Sequence, residues 1–185
     1  TLPRSKISID ARRVTITAMA ESEERKLKVE ARLKREVPSG LRVSFDISSP
    51  RPVITPFTLR FLQDEAGPRF DTCSAHTEEG RSKIVGAARK AGIEGDLDCR
   101  IGLGVPSPNW ADAAAMSIAA IAELKGGSVT FSDADVTLIS PPGTYQREFD
   151  RIVGALENSL PDVFALHAVL TPDPSDPSQG PAEFV

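Results

Sequence analysis

The chain has 185 residues, 40% of them hydrophobic and 26% charged, enough apolar content to bury a core and too much for an intrinsically disordered chain. A formal charge of -4 and an isoelectric point near 5.3 argue against a partner held by phosphate contacts, so no nucleic acid is expected. No apolar run approaches the roughly 18 residues needed to span a bilayer, and the opening TLPRSKISID lacks the layout of a signal peptide.

In chain order, KISID (6–10) and RVTITAM (13–19) alternate apolar and polar residues and are expected to form a β-hairpin turning near Asp10 to Arg12. The helix EERKLKVEARLKRE follows, entered through the capping hydroxyl of Ser22, with Val29 and Leu33 on one face. The strand LRVSFDIS closes this unit. The same order returns twice. FTLRFLQ and RFDTCSA turn at Asp64 to Pro68, a helix entered through Thr77 holds KIVGAARK, and LDCRIGLG follows. SVTFS and DVTLIS then turn at Asp133 to Asp135, where Asp is favoured, a helix entered through Thr144 holds RIVGALEN, and VFALHAVL ends the unit. Val29, Ile84 and Ile152 fall at one equivalent helical position, and Leu33, Ala88 and Leu156 at another. The second interval is longer because it contains an extra Ala-rich helix, about 109–125, started near Ser107 or Asn109 and stopped by Gly126-Gly127.

The expected fold is therefore α/β of the α+β type: tandem ββαβ repeats with small mixed sheets, helices packed on one face, and one extra helix before the third repeat. The units are placed at 1–50, 51–106 and 107–171, joined by short Pro-marked linkers that favour a fixed relationship between neighbours. Residues 172–185 read as a Pro- and Ser-rich connector. Its ending PAEFV resembles the Pro56-Phe57-Thr58-Leu59 start of the second unit, so a further unit is expected to begin there and the chain to be a piece of a longer array.

Candidate chemistry is sparse. Cys73 and Cys99 fit no metal spacing, and His76 and His167 are far apart in sequence, so neither a metal site nor a nucleophile with its base is expected. Gly102 and Gly104 in IGLGVP lack the third glycine of a dinucleotide loop and read as a strand end. No cofactor and no enzymatic activity are expected. The first helix gathers Arg25, Lys28, Arg32 and Arg35, a candidate contact face for anionic phospholipid or a partner; the alternative is a solvated face with ion pairs Glu24–Lys28 and Glu30–Lys34. Trp110, the single tryptophan, is a candidate anchor within the domain or against a partner.

A helix, a hairpin, a second helix entered through Ser or Thr and a closing strand resemble the BON module of bacterial envelope proteins, with residues 109–170 the best match. The wider sequence, through LPRSKISI, SSPRPVITPFTLRF and GSVTFSDADVTLIS, is similar to the BON-repeat region of alphaproteobacterial OmpA-family proteins. That resemblance covers nearly the whole chain. It implies a periplasmic, non-catalytic scaffold or adaptor, associated with outer or inner membrane through other regions, that positions an OmpA-like peptidoglycan-binding domain. Its implied partners are envelope proteins, a second copy of itself or, as the alternative function, phospholipid or a small ligand. An oxidising periplasm implies a Cys73–Cys99 disulfide, with two half-buried thiols as the other reading. Cys73 has opposite strand parity to Phe70, which a bulge or strand end would reconcile.

Overall fold

In residues 1–52 the alternation read from the sequence produces a three-stranded sheet. The computed structural model describes residues 5–10, 13–38 and 42–173 and divides the chain into two units, Thr1–Pro52 and Val53–Val185. In the first, β1 (Lys6–Asp10) and β2 (Arg13–Met19) pair antiparallel, and β3 (Arg42–Ser48) returns parallel to β2 after α1 (Glu23–Glu36). Ile7 lies beside Ile16 and Phe45, Ile9 beside Val14 and Val43, and Ala18 beside Ile47. Side chains alternate along a strand with period two, so these eight residues share one face. Ser22 caps α1, its Oγ accepting from the Arg25 N–H at 3.2 Å. Val29 and Leu33, one helical turn apart, pack with Phe45 against buried Ala18, Ala20 and Ile47.

The second unit is built on five strands in the order β10-β9-β8-β4-β5. Its hairpins are β4 (Thr58–Asp64) with β5 (Gly67–Thr72) and β8 (Gly127–Ser132) with β9 (Asp135–Ile139); β4 and β8 pair antiparallel, and β10 (Ala165–Val169) runs parallel to β9. The residues read as the second and third units thus share one sheet. After a break at Cys73, the short β6 (Ser74–Ala75) pairs in parallel with β7 (Arg100–Ile101).

Leu59, Phe61, Val129, Phe131, Val136 and Leu138 recur at alternate strand positions and are fully buried. The stripes of three helices meet them: Ile84 and Ala88 of α2 (Glu78–Lys90), Trp110, Ile118 and Ile121 of α3 (Trp110–Glu123), and Ile152 and Leu156 of α4 (Gln146–Ser159). Lys83 and Asp112, 2.7 Å apart, clip α2 to α3. The hydrogen bond to Asp112 holds the Lys83 ammonium above its ordinary range. The fold is α+β.

Several expectations are corrected. Thr144 does not cap α4: Tyr145 takes that position without a side-chain bond, and the Thr144 hydroxyl donates to the Pro141 carbonyl at 2.8 Å. LDCRIGLG is not a full strand. Only Arg100–Ile101 pair, with Leu103 bridging Val53, because the preceding residues include Gly95, Asp96 and Asp98, poor strand formers. The second ion pair on α1 is Arg32–Glu36, not Glu30–Lys34. The turn at Asp10 to Arg12 falls partly, and the expected further unit in the connector 172–185 almost wholly, outside the described residues.

Candidate functional site

The structure joins Cys73 and Cys99 in a disulfide whose Cα atoms lie 4.5 Å apart. Cys73 follows β5 directly, and a bulge at Asp71, where Phe70 faces Phe61 but Thr72 faces Arg60, turns the Cys73 side chain inward against the parity of Phe70. Beside it the Arg100 N–H donates to the Cys73 carbonyl at 2.9 Å, so the bridge pins the short β6–β7 ladder.

The other candidates are structural. His167 lies exposed on the outside strand β10, and His76 is partly buried just before α2. Gly104 has φ +108, and a Cβ there would stand 2.6 Å from the Ile54 carbonyl oxygen, so this glycine serves a close backbone approach. Asp133, at φ +51 in the β8–β9 turn, accepts from the Phe57 N–H through Oδ1 at 2.8 Å. Among the described residues no group of three or more His, Cys, Asp or Glu could hold a metal ion, and no helix is long and apolar enough to cross a membrane.

Trp110 is removed from the candidate contact residues. It is fully buried, and its ring packs edge-on to Phe57 and Phe131 at 4.8 and 5.2 Å. Arg25, Lys28, Arg32 and Arg35 are all exposed on α1. Lys28 is paired with Glu24 at 2.6 Å and Arg32 with Glu36 at 3.0 Å, while Arg35 Nε donates to the Ala31 carbonyl. Pairs this exposed are weak and leave the cations able to meet an anionic surface.

The feature that sequence reasoning missed is the open apolar face of the first unit. Its connectivity matches that of β8, β9, α4 and β10, in which an antiparallel hairpin is followed by a helix and a strand parallel to the second hairpin strand. By register, Ile7 and Ile9 correspond to Val129 and Phe131, two and four residues into the equivalent strand. Val129 and Phe131 are 0% exposed, whereas Ile7 is 61% and Ile9 75% exposed. In the second unit α3 packs on β8 and β4; in the first, α1 packs on β3 and nothing described covers β1. Charge separates the two units as well. Residues 1–52 carry 12 Lys and Arg against 7 Asp and Glu, and residues 53–185 carry 10 against 19. The signal was present in the sequence: two alternating strands supply Ile7, Ile9, Val14 and Ile16, but the one helix beside them supplies only Val29 and Leu33 as a stripe.

A cavity of about 650 Å³ lies beside β5, with Phe70 and Leu97 among its apolar lining and Asp71, Glu94, Asp96 and Arg100 among its polar lining. Asp71 is engaged with Arg60 across the β4–β5 ladder at 3.4 Å.

No protein-family model, no curated protein and no solved structure matches the chain.

Proposed function

We propose that the chain is a non-catalytic scaffold or adaptor segment of the periplasm, of the kind its resemblance to the BON-repeat region of OmpA-family proteins implies, and that residues 1–52 are its docking unit. The observation that carries this reading is the contrast between Ile7 and Ile9, exposed, and their buried equivalents Val129 and Phe131. A small unit that leaves branched apolar side chains in water gains stability when a partner covers them. The second unit, with its continuous core, is the rigid body beyond the linker. Two further features support the assignment: the recurring strand-strand-helix-strand connectivity, and the Cys73–Cys99 disulfide, a bond that persists in oxidising compartments.

Photocrosslinking tests it. A crosslinking amino acid placed at Ile9 in the exported protein is expected to give protein adducts, while one at His167, exposed in the second unit, gives none. Equal adducts from both positions, or none from Ile9, would remove the docking role. Denaturing alkylation without reductant is expected to leave Cys73 and Cys99 unmodified, and two free thiols in the exported chain would contradict the periplasmic assignment.

A second reading, phospholipid binding, is favoured by one observation: the basic surplus of residues 1–52, with Arg25, Lys28, Arg32 and Arg35 exposed in the same unit as the exposed Ile7 and Ile9. Sedimentation with phosphatidylglycerol vesicles but not phosphatidylcholine vesicles, weakened by moderate salt, would establish it. No sedimentation at low salt would exclude it.

A further inference from the structure

We propose that β1 is the seam of a two-fold homodimer, formed when its outer edge pairs antiparallel with β1 of a second copy about Ser8. The proposal rests on the reading of residues 1–52 as a docking unit and names the partner. In the order β1-β2-β3, β1 is an outside strand, and among the described residues no strand pairs with its outer side. Unpaired N–H and C=O groups on such an edge are a template for another strand. Two devices that blunt an edge, proline and a bulge, are absent from residues 6–10, and the two charged residues there, Lys6 and Asp10, are of opposite sign. The register with β2 runs unbroken over all five residues.

The sequence Lys6-Ile7-Ser8-Ile9-Asp10 is self-complementary about its middle. An antiparallel copy centred on Ser8 sets Ile7 across from Ile9 and Lys6 across from Asp10, each twice by symmetry. Only this register pairs all five residues. A slip of one sets Ile7 against Ser8 or Asp10 and sends the apolar residues to opposite faces. The copies then share an isologous interface, and the exposed Ile7 and Ile9 gain cross-strand neighbours on one continuous apolar face.

Ser8 gives the direct test. Facing residues at the centre of an antiparallel pair have Cα atoms about 4.5–5.5 Å apart, within disulfide reach. The native cysteines are already joined to each other, so a Ser8→Cys chain carries one free thiol. Under mild oxidation the full 185-residue Ser8→Cys chain is expected to become a covalent dimer, while Thr17→Cys, one strand further from the axis, stays monomeric. Sedimentation velocity should show a concentration-dependent dimer of the unaltered chain, weakened about tenfold by Lys6→Glu and restored by Lys6→Glu with Asp10→Lys. A chain that is monomeric at every concentration, with the Ser8→Cys thiols uncrosslinked, would overturn the seam. So would a Lys6→Glu defect that Asp10→Lys does not rescue. Failure here is distinguishable from failure of the docking reading: a monomeric chain that still yields adducts to other proteins from Ile9 loses the seam and keeps the docking unit.

Discussion

The indole Nε1 of Trp110 donates a hydrogen bond to the backbone carbonyl oxygen of Ser74 at 2.9 Å, wholly inside the second unit. This bond ties the first turn of α3 to β6, while the ring fills the space between Phe57 and Phe131. Trp110→Phe keeps most of the volume but leaves the buried carbonyl unpaired, which should destabilise by about 1–3 kcal/mol. Trp110→Ala also opens a cavity and should cost about 3–5 kcal/mol. Urea unfolding followed by far-UV circular dichroism measures both, since each variant removes the single tryptophan. A Trp110→Phe midpoint equal to that of the unaltered chain would mean the Ser74 carbonyl finds another donor.

The Cys73–Cys99 disulfide closes a loop over a sequence separation of 26 residues. Loop-closure entropy for that length gives about 3.5 kcal/mol of stabilisation through the unfolded chain. Reduction, or the pair Cys73→Ala with Cys99→Ala, should therefore lower the unfolding midpoint of the second unit. The change should also be local. Amide hydrogen exchange at Arg100 and Gly102, which donate to the Cys73 and Ala75 carbonyls, should accelerate more than exchange at Phe131 in the middle of the sheet. Uniform acceleration across both positions would contradict a bridge that pins β6 and β7.

What was legible in the sequence follows from how each signal is generated. The strands Lys6–Asp10, Arg13–Met19 and Asp135–Ile139, and the stripes holding Val29, Ile84 and Ile152, come from burial periodicity, which a single segment carries by itself. The joining of β4 to β8 was not legible, because sheet partnership is a relation between distant segments that alternate equally well alone or paired. Thr144 was misread for a related reason: capping depends on where the chain leaves the turn, and its hydroxyl found the Pro141 carbonyl first. The basic face of α1 was visible as residues, yet its meaning depends on the open apolar face carried by the same unit. That open face was signalled only as a balance between elements, Ile7, Ile9, Val14 and Ile16 outnumbering the Val29 and Leu33 stripe, which no single segment displays.

Asp64 and Arg69 span the β4–β5 turn, with the guanidinium Nη1 and Nη2 each 2.7 Å from a carboxylate oxygen. The Arg69 hydrogen bonds, followed by the Ala66 N–H, hold the Asp64 carboxyl below its ordinary range. A folded-state pKa below the unfolded one contributes stability above the unfolded value and loses it as pH falls through the folded value. Both partners are about half exposed, so solvent screens the pair and the effect is small. The melting-temperature difference between the chain and Asp64→Asn should be flat from pH 7 to 5 and shrink below about pH 4. A difference that grows toward acid would reverse the assigned sign.

Two glycines should respond in opposite directions to the same substitution. Gly127 opens β8 immediately after α3, at φ +99, and pairs across the ladder with Gln63. A Cβ there would collide with the carbonyl oxygen of Ile139, a backbone atom that cannot swing aside. Gly127→Ala therefore combines left-handed strain of about 1–2 kcal/mol with a displacement of the β8–β9 pair, and a loss above about 2 kcal/mol is expected. Gly154 lies inside α4, where a Cβ would meet nothing within 4 Å. Gly154→Ala should instead stabilise by about 0.5–1 kcal/mol, by removing backbone freedom from the unfolded chain at a position that an alanine occupies without strain. Urea midpoints of the two variants against the unaltered chain decide the matter. If Gly127→Ala were neutral, the entry to β8 would have to adopt another backbone path, and the tight succession of α3 and β8 that covers Val129 and Phe131 would need a different explanation.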